Sequence, residues 1–152
     1  MVFEDPKTTI LKLLRDNFRV EKDDGSATLC QVVFELPEQE IISSLDKFDI
    51  TITIGRETEK ARRIATVAYF EYKGTYRVGV WTKDKLNMKG EDVCTNSIQQ
   101  IKEIIKVNEH KPGGNLTFLK KVNTRDDDRV GSPMLYHRLV MVETTHYGQE
   151  QE

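Results

Sequence analysis

The sequence predicts an α+β fold: a mainly antiparallel sheet with one helix packed across it and a second helix at the N-terminus. Apolar residues recur at helical spacing in two stretches, and several others alternate between apolar and polar. The second helical stretch falls between two groups of strands, an order expected of a helix laid across a sheet rather than of a helical bundle. The 152 residues fit a single α+β domain over 1–152, long enough to bury a core without cross-links.

Taken in order, residues 6–18 place Ile10, Leu11, Leu13, Leu14 and Phe18 on one helical stripe, with Lys12, Arg15 and Asp16 off it. Asp5 before Pro6 is a good start, because Asp caps the first free amides and proline tolerates the first turn. Asp23-Asp24-Gly25-Ser26 breaks the pattern. Residues 29–36 read as a strand through Val32, Val33 and Phe34, ended by Pro37. Residues 41–48 read as either a short helical turn or an irregular connection. Ile50-Thr51-Ile52-Thr53-Ile54 alternates cleanly, isoleucines toward a core, and Gly55 closes it.

Residues 56–63 read as a polar loop carrying both signs of charge. A strand over 64–72 is expected to turn at Lys73-Gly74 into a partner over 75–83, a hairpin. Tyr76, Val78 and Val80 share one face of that partner, and Arg77 and Trp81 the other. The next helix carries Cys94, Ile98, Ile101, Ile104 and Ile105 on one stripe and is expected to stop at Pro112-Gly113-Gly114. Residues 116–122 read as a third long strand, 123–133 as a charged loop, and 134–147 as the last strand. The apolar centre of that strand, Leu139-Val140-Met141-Val142, belongs inside the sheet rather than at its edge.

Composition narrows the function classes. With 38% hydrophobic and 32% charged residues the chain is globular rather than disordered. Its 23 basic against 25 acidic residues, a net charge of −2, argue against a dedicated duplex-DNA binder. The N-terminus lacks the apolar core of a signal peptide, and no apolar run approaches the ~20 residues of a membrane span, so cytosolic assembly is expected. Cys30 and Cys94, with no CxxC and no neighbouring histidine, give no zinc pattern and read as reduced, buried small residues; a single disulfide is the alternative.

The residues that could carry chemistry form no catalytic set. His137 and His146 are nine apart on one strand and so face opposite ways, while His110 falls at a helix end. Asp126-Asp127-Asp128 between Arg125 and Arg129 lacks the spacing of a calcium loop and reads as a contact element at a hairpin tip. Lys111-Pro112-Gly113-Gly114-Asn115 follows a helix instead of opening one, so it is no phosphate cradle. Arg56, Lys60, Arg62 and Arg63 are the densest basic cluster, diluted by Glu57 and Glu59. No serine or cysteine has a base and an orienting group in any known motif, and no cofactor is expected. One alternative is a nucleic-acid accessory module, with Tyr69, Tyr72, Tyr76 and Trp81 stacking bases beside Arg62 and Arg63. Another is a metal site in which Glu57, Asp126 and Asp128 converge.

One family has this element order. Tyr76-Arg77-Val78-Gly79-Val80-Trp81-Thr82-Lys83-Asp84-Lys85 precedes a helix, and Asn115-Leu116-Thr117-Phe118-Leu119-Lys120-Lys121 follows it. A charged connection then leads to Leu135-Tyr136-His137-Arg138-Leu139-Val140-Met141-Val142-Glu143. In this order residues 64–147 resemble the tail-terminator, or tail-completion, proteins of long-tailed phages and related proviruses. The resemblance implies a non-enzymatic virion protein of the tail and neck, assembled in the host cytoplasm. It implies a homo-hexameric ring that caps the tail tube and joins it to the head connector. Segment 25–48 is more elaborate than the family's minimal form. The expected contact residues are Arg56, Glu57, Lys60, Arg62 and Arg63, with Arg125, Asp126, Asp127, Asp128 and Arg129.

Overall fold

A computed structural model describes residues 4–22, 24–63, 69–131 and 134–149. Helix α1, Pro6–Asn17, starts as its sequence dictates: Asp5 Oδ1 accepts the Lys7 amide at 2.9 Å, with Pro6 in the first turn. Strand β1, Cys30–Phe34, and helix α2, Glu38–Ser44, follow, and α2 resolves the ambiguous stretch as a seven-residue helix. The remaining elements are β2 (Ile50–Arg63), β3 (Tyr69–Lys83), α3 (Gly90–Val107), β4 (Phe118–Asp126) and β5 (Leu135–Gln149).

The five strands form one sheet in the order β1-β2-β3-β5-β4, all neighbours antiparallel except β1 beside β2. Alternation decides its two faces. Val32, Ile50, Ile52, Ile54, Tyr76, Val78, Val80, Val140, Val142 and Leu119 point to one face, where α1 and α3 cover them. The expected helix across the sheet is α3, which buries Val93, Cys94, Ile98, Ile101, Ile104 and Ile105 there. Each large apolar side chain so buried contributes about 1.5–3 kcal/mol. On the other face, among the described residues, a corner is covered, where Ile41 of α2 and Leu45 just after it pack on Trp81 and Leu135. Asp49 fixes the entry to β2: its carboxylate accepts the Leu29 amide at 2.8 Å and faces Lys22 at 3.2 Å and Lys85 at 3.4 Å.

Several expected boundaries are corrected. Lys73-Gly74 is not a turn: β3 runs straight through it, with Gly74 paired to Glu59 on one side and Thr144 on the other. Glycine is needed there for space, because a Cβ would lie 2.7 Å from the Tyr76 ring. Nor does Gly55 close a strand, since residues 56–63 continue β2 as its outer half. That half is exposed throughout residues 56–62 and so carries none of the apolar alternation that marks a half-buried strand. The hairpin therefore joins β2 to β3, and its connection, together with the expected strand start at Ile64, lies outside the described residues. Helix α3 ends at Val107, where the Asn108 side chain donates to the Ile104 carbonyl at 2.8 Å, several residues before Pro112. Strand β4 runs on to Asp126, so the charged connection is shorter than expected.

Candidate assembly interface

Of the charged residues singled out in the sequence, Lys60, Arg62 and Arg63 fall toward one end of the sheet and Arg125, Asp126, Asp127, Asp128 and Arg129 toward the other, while Arg56 and Glu57 lie near the middle of β2. Along β2, Arg56 Nη2 meets Asp5 Oδ2 at 3.0 Å, at the start of α1. Glu57 accepts from Arg77 Nη1 at 3.2 Å, and Arg62 Nη2 lies 3.2 Å from Glu71 Oε1. Lys60 stands opposite Lys73 in the register, like charge against like. Arg63 pairs with Phe70 in the sheet, and its side chain lies outside what the structure describes.

The second cluster closes the opposite end. Arg125, on β4, donates to the Met141 sulfur at 3.9 Å. Asp126 Oδ1 lies 3.6 Å from Arg138 Nε. Asp127 binds Arg129 at 2.6 Å, and that guanidinium holds its carboxyl below the usual carboxylate range. Asp128 accepts the His137 amide at 3.0 Å, and Arg129 reaches Glu38 of α2 at 3.0 Å. Arg138 also reaches across to α3, bonding Thr95 and Glu91. In the register, Arg62 aligns through Glu71 with Tyr147, and Arg125 aligns with Leu139. The eight residue steps along β5 between those points span ~27 Å. Arg62 thus lies far from the second cluster, whereas Glu57 approaches it through Arg77, which lines one groove with Arg125 and Asp127.

On the face that α1 and α3 leave bare, this open groove measures about 430 Å³. Its centre is Arg77, held in a two-pronged ion pair by Glu35 at 2.9 and 3.0 Å. At the other end Trp81 stacks on His137 with ring centres 3.5 Å apart. Gly79 makes room for that stack, since a Cβ there would lie 2.9 Å from His137 Nε2. Burial pushes His137 down to about 4, against the pull of Asp127, whose Oδ2 is 3.4 Å from Nδ1; the ring is neutral at neutral pH. Of this groove, the alternation of β3 supplied Arg77 and Trp81. Glu35 joins them only because β1 lies parallel to β2, and no local sequence pattern marks that pairing.

The groove offers charge-assisted hydrogen bonds to a partner. Burial pushes both thiols, Cys30 and Cys94, up to about 12, and they are not bonded to each other. Among the described residues no three His, Cys, Asp or Glu side chains are placed to hold a metal ion. Glu57 faces Arg77, whereas Asp126 and Asp128 face Arg138, so the three acids do not converge. The base-stacking platform is likewise corrected. Tyr76 is fully buried and Trp81 is 7% exposed beneath Arg129, while Tyr72 stacks on His146 at 4.8 Å. The Tyr69 side chain lies outside what the structure describes. His146 and His137 do lie on opposite faces, as their spacing requires.

No protein-family model matches the chain, and no curated protein matches it in sequence. Among solved structures, the chain is similar over its whole length to the sheath/tube terminator of an extracellular contractile injection system, PVC, determined in the extended state. The TM-score is 0.54 at 11% identity, and the match covers 100% of this chain and 59% of that one. At that identity what is shared is the fold.

Proposed function

We propose that this chain is a non-enzymatic assembly protein of a phage tail or tail-like device, closing into a ring that terminates the tube. The observation that supports the reading is the fold likeness, over the whole of this chain, to a sheath/tube terminator, beside the element order that resembles tail terminators in the sequence. The chain spans 59% of that terminator's length, so the finer assignments are read from its own surface. Copies join head to tail as a homo-hexamer, using the two charged patches at opposite ends of the sheet. The ring sits on the tail tube protein, faces the head connector, and resides in the tail or neck of the particle. A heterologous contact of this kind needs two different patches on each subunit, and the sheet carries two.

Light scattering on the purified chain, with negative-stain images of the same sample, tests this. Closed rings are expected, alone or on addition of the tube protein. A chain that stays monomeric at high concentration, and retains neither tube nor connector protein in a pull-down, overturns the proposal.

A further inference from the structure

The two rims of the sheet are treated differently. At β1 the rim lies beside α1, whose Arg15 donates through Nε and Nη2 to the Val32 carbonyl, at 3.0 and 2.8 Å. Along the outer side of β4, among the described residues, Leu119 is the one engaged, its amide donating to the Glu109 carbonyl at 2.9 Å. Beyond Leu119 the strand is exposed to its end, and among the described residues nothing pairs with its outer side. A bulge between Lys121 and Asn123 sets Val122 out at 51% exposure. Alongside runs a groove of about 510 Å³ between β4 and α3, floored by Ile105 and Leu119. Lys102 and Lys106, one turn apart on α3, face it together with Lys120 and Lys121 of β4. None of these four lysines has an ion-pair partner among the described residues. Glu103 and Glu109 also line the groove and leave it net positive on a chain whose total charge is −2.

We infer that this open rim and its lysine groove form a docking site for an extended acidic segment of a different protein, which adds to the sheet as a further strand beyond β4. Main-chain hydrogen bonds to the rim supply affinity, and carboxylates at every second residue, which all fall on one side of the added strand, meet Lys121, Lys102 and Lys106. The same lysines select against the chain itself. A second β4 paired about these residues would set Lys120 and Lys121 against their copies. The site does not depend on the ring proposed above and stands or falls separately from it.

The test uses fluorescent, end-blocked hexapeptides with the full-length chain, read by anisotropy at low salt. The alternating peptide Glu-Val-Glu-Val-Glu-Val is expected to bind at least about tenfold tighter than Lys-Val-Lys-Val-Lys-Val or than Glu-Pro-Glu-Pro-Glu-Pro, which keeps the charge but cannot pair as a strand. K120E/K121E and K102E/K106E are each expected to lose about tenfold, with thermal unfolding unchanged because these side chains stand in solvent or at the groove wall. Equal binding of the proline peptide, equal binding of the lysine peptide, or no binding at all overturns the inference. So does a single-stranded oligonucleotide that outcompetes the acidic peptide, and so do folded charge-reversed variants that bind as the parent does.

Discussion

His137 links the groove to stability through a proton. Its ring is pressed flat on Trp81 and buried, which favours the neutral form and pushes its pKa down to about 4. In the unfolded chain the same imidazole titrates near 6.5. Between those values the unfolded state binds more protons than the folded one, so stability rises with pH across the window. The contribution is fully present above about 6.5 and is lost as pH falls toward 4. Between pH 7 and pH 4.5 the native protein is expected to lose about 2–3 kcal/mol more than H137F, which keeps a flat ring on Trp81 but takes up no proton. Urea unfolding followed by Trp81 fluorescence at the two pH values measures this. Identical pH dependence in the two proteins would show that His137 does not carry the effect. Gly74 gives a second prediction at this scale. In G74A the new methyl must displace the Tyr76 ring, whose hydroxyl reaches Glu59 at 3.3 Å, and a loss of about 1–3 kcal/mol is expected from the same unfolding curves. A stability unchanged within error would mean the ring moves freely.

At the scale of elements, α3 is the cover of the main core, and its two kinds of residue separate cleanly. Ile101 is fully buried against the sheet, whereas Val107, at the helix end, is 83% exposed. I101A is expected to cost about 2–5 kcal/mol and V107A less than about 0.5 kcal/mol, measured as midpoint shifts in denaturant. Comparable losses would mean that the helix does not bear on the sheet as described. This stripe was legible in the sequence because five apolar residues recur at helical spacing, and so were α1, the isoleucine strand and the interior place of β5. The outer half of β2 was not. Its side chains face solvent, so Arg56, Glu57, Lys60 and Arg62 obey no apolar period, and pairing with β3 alone holds them extended. Lys73-Gly74 failed for a related reason: a glycine beside a lysine looks like a turn unless the Tyr76 ring that needs the space is already in view. Of the candidate contact residues, their charge and exposure could be read in advance. Their positions along the sheet could not, because these follow from long-range register.

For the whole molecule, the two charged patches make the assembly proposal testable by exchange. In a ring each subunit offers one patch to the next subunit and the other to the previous one, so a repulsion made on one patch can be relieved on the other. Lys60 and Asp126 suit the experiment. Lys60 has no ion-pair partner among the described residues and faces Lys73 in its own sheet, while Asp126, 78% exposed, is only 3.6 Å from Arg138 and can be reversed without uncovering a core. Single reversals, K60E or D126K, are expected to weaken association, and raising the salt is expected to weaken it in the parent, because exposed charges are screened beyond ~8 Å at physiological ionic strength. If the opposite ends meet, the K60E/D126K double variant recovers association that neither single variant retains, since each new pair again joins unlike charges. Sedimentation of the four proteins at two ionic strengths reads this directly. Association that ignores both single reversals would remove the sheet ends from the interface. A loss that the double variant fails to repair would show that Lys60 and Asp126 do not meet across subunits, and would send the head-to-tail contact elsewhere on the chain.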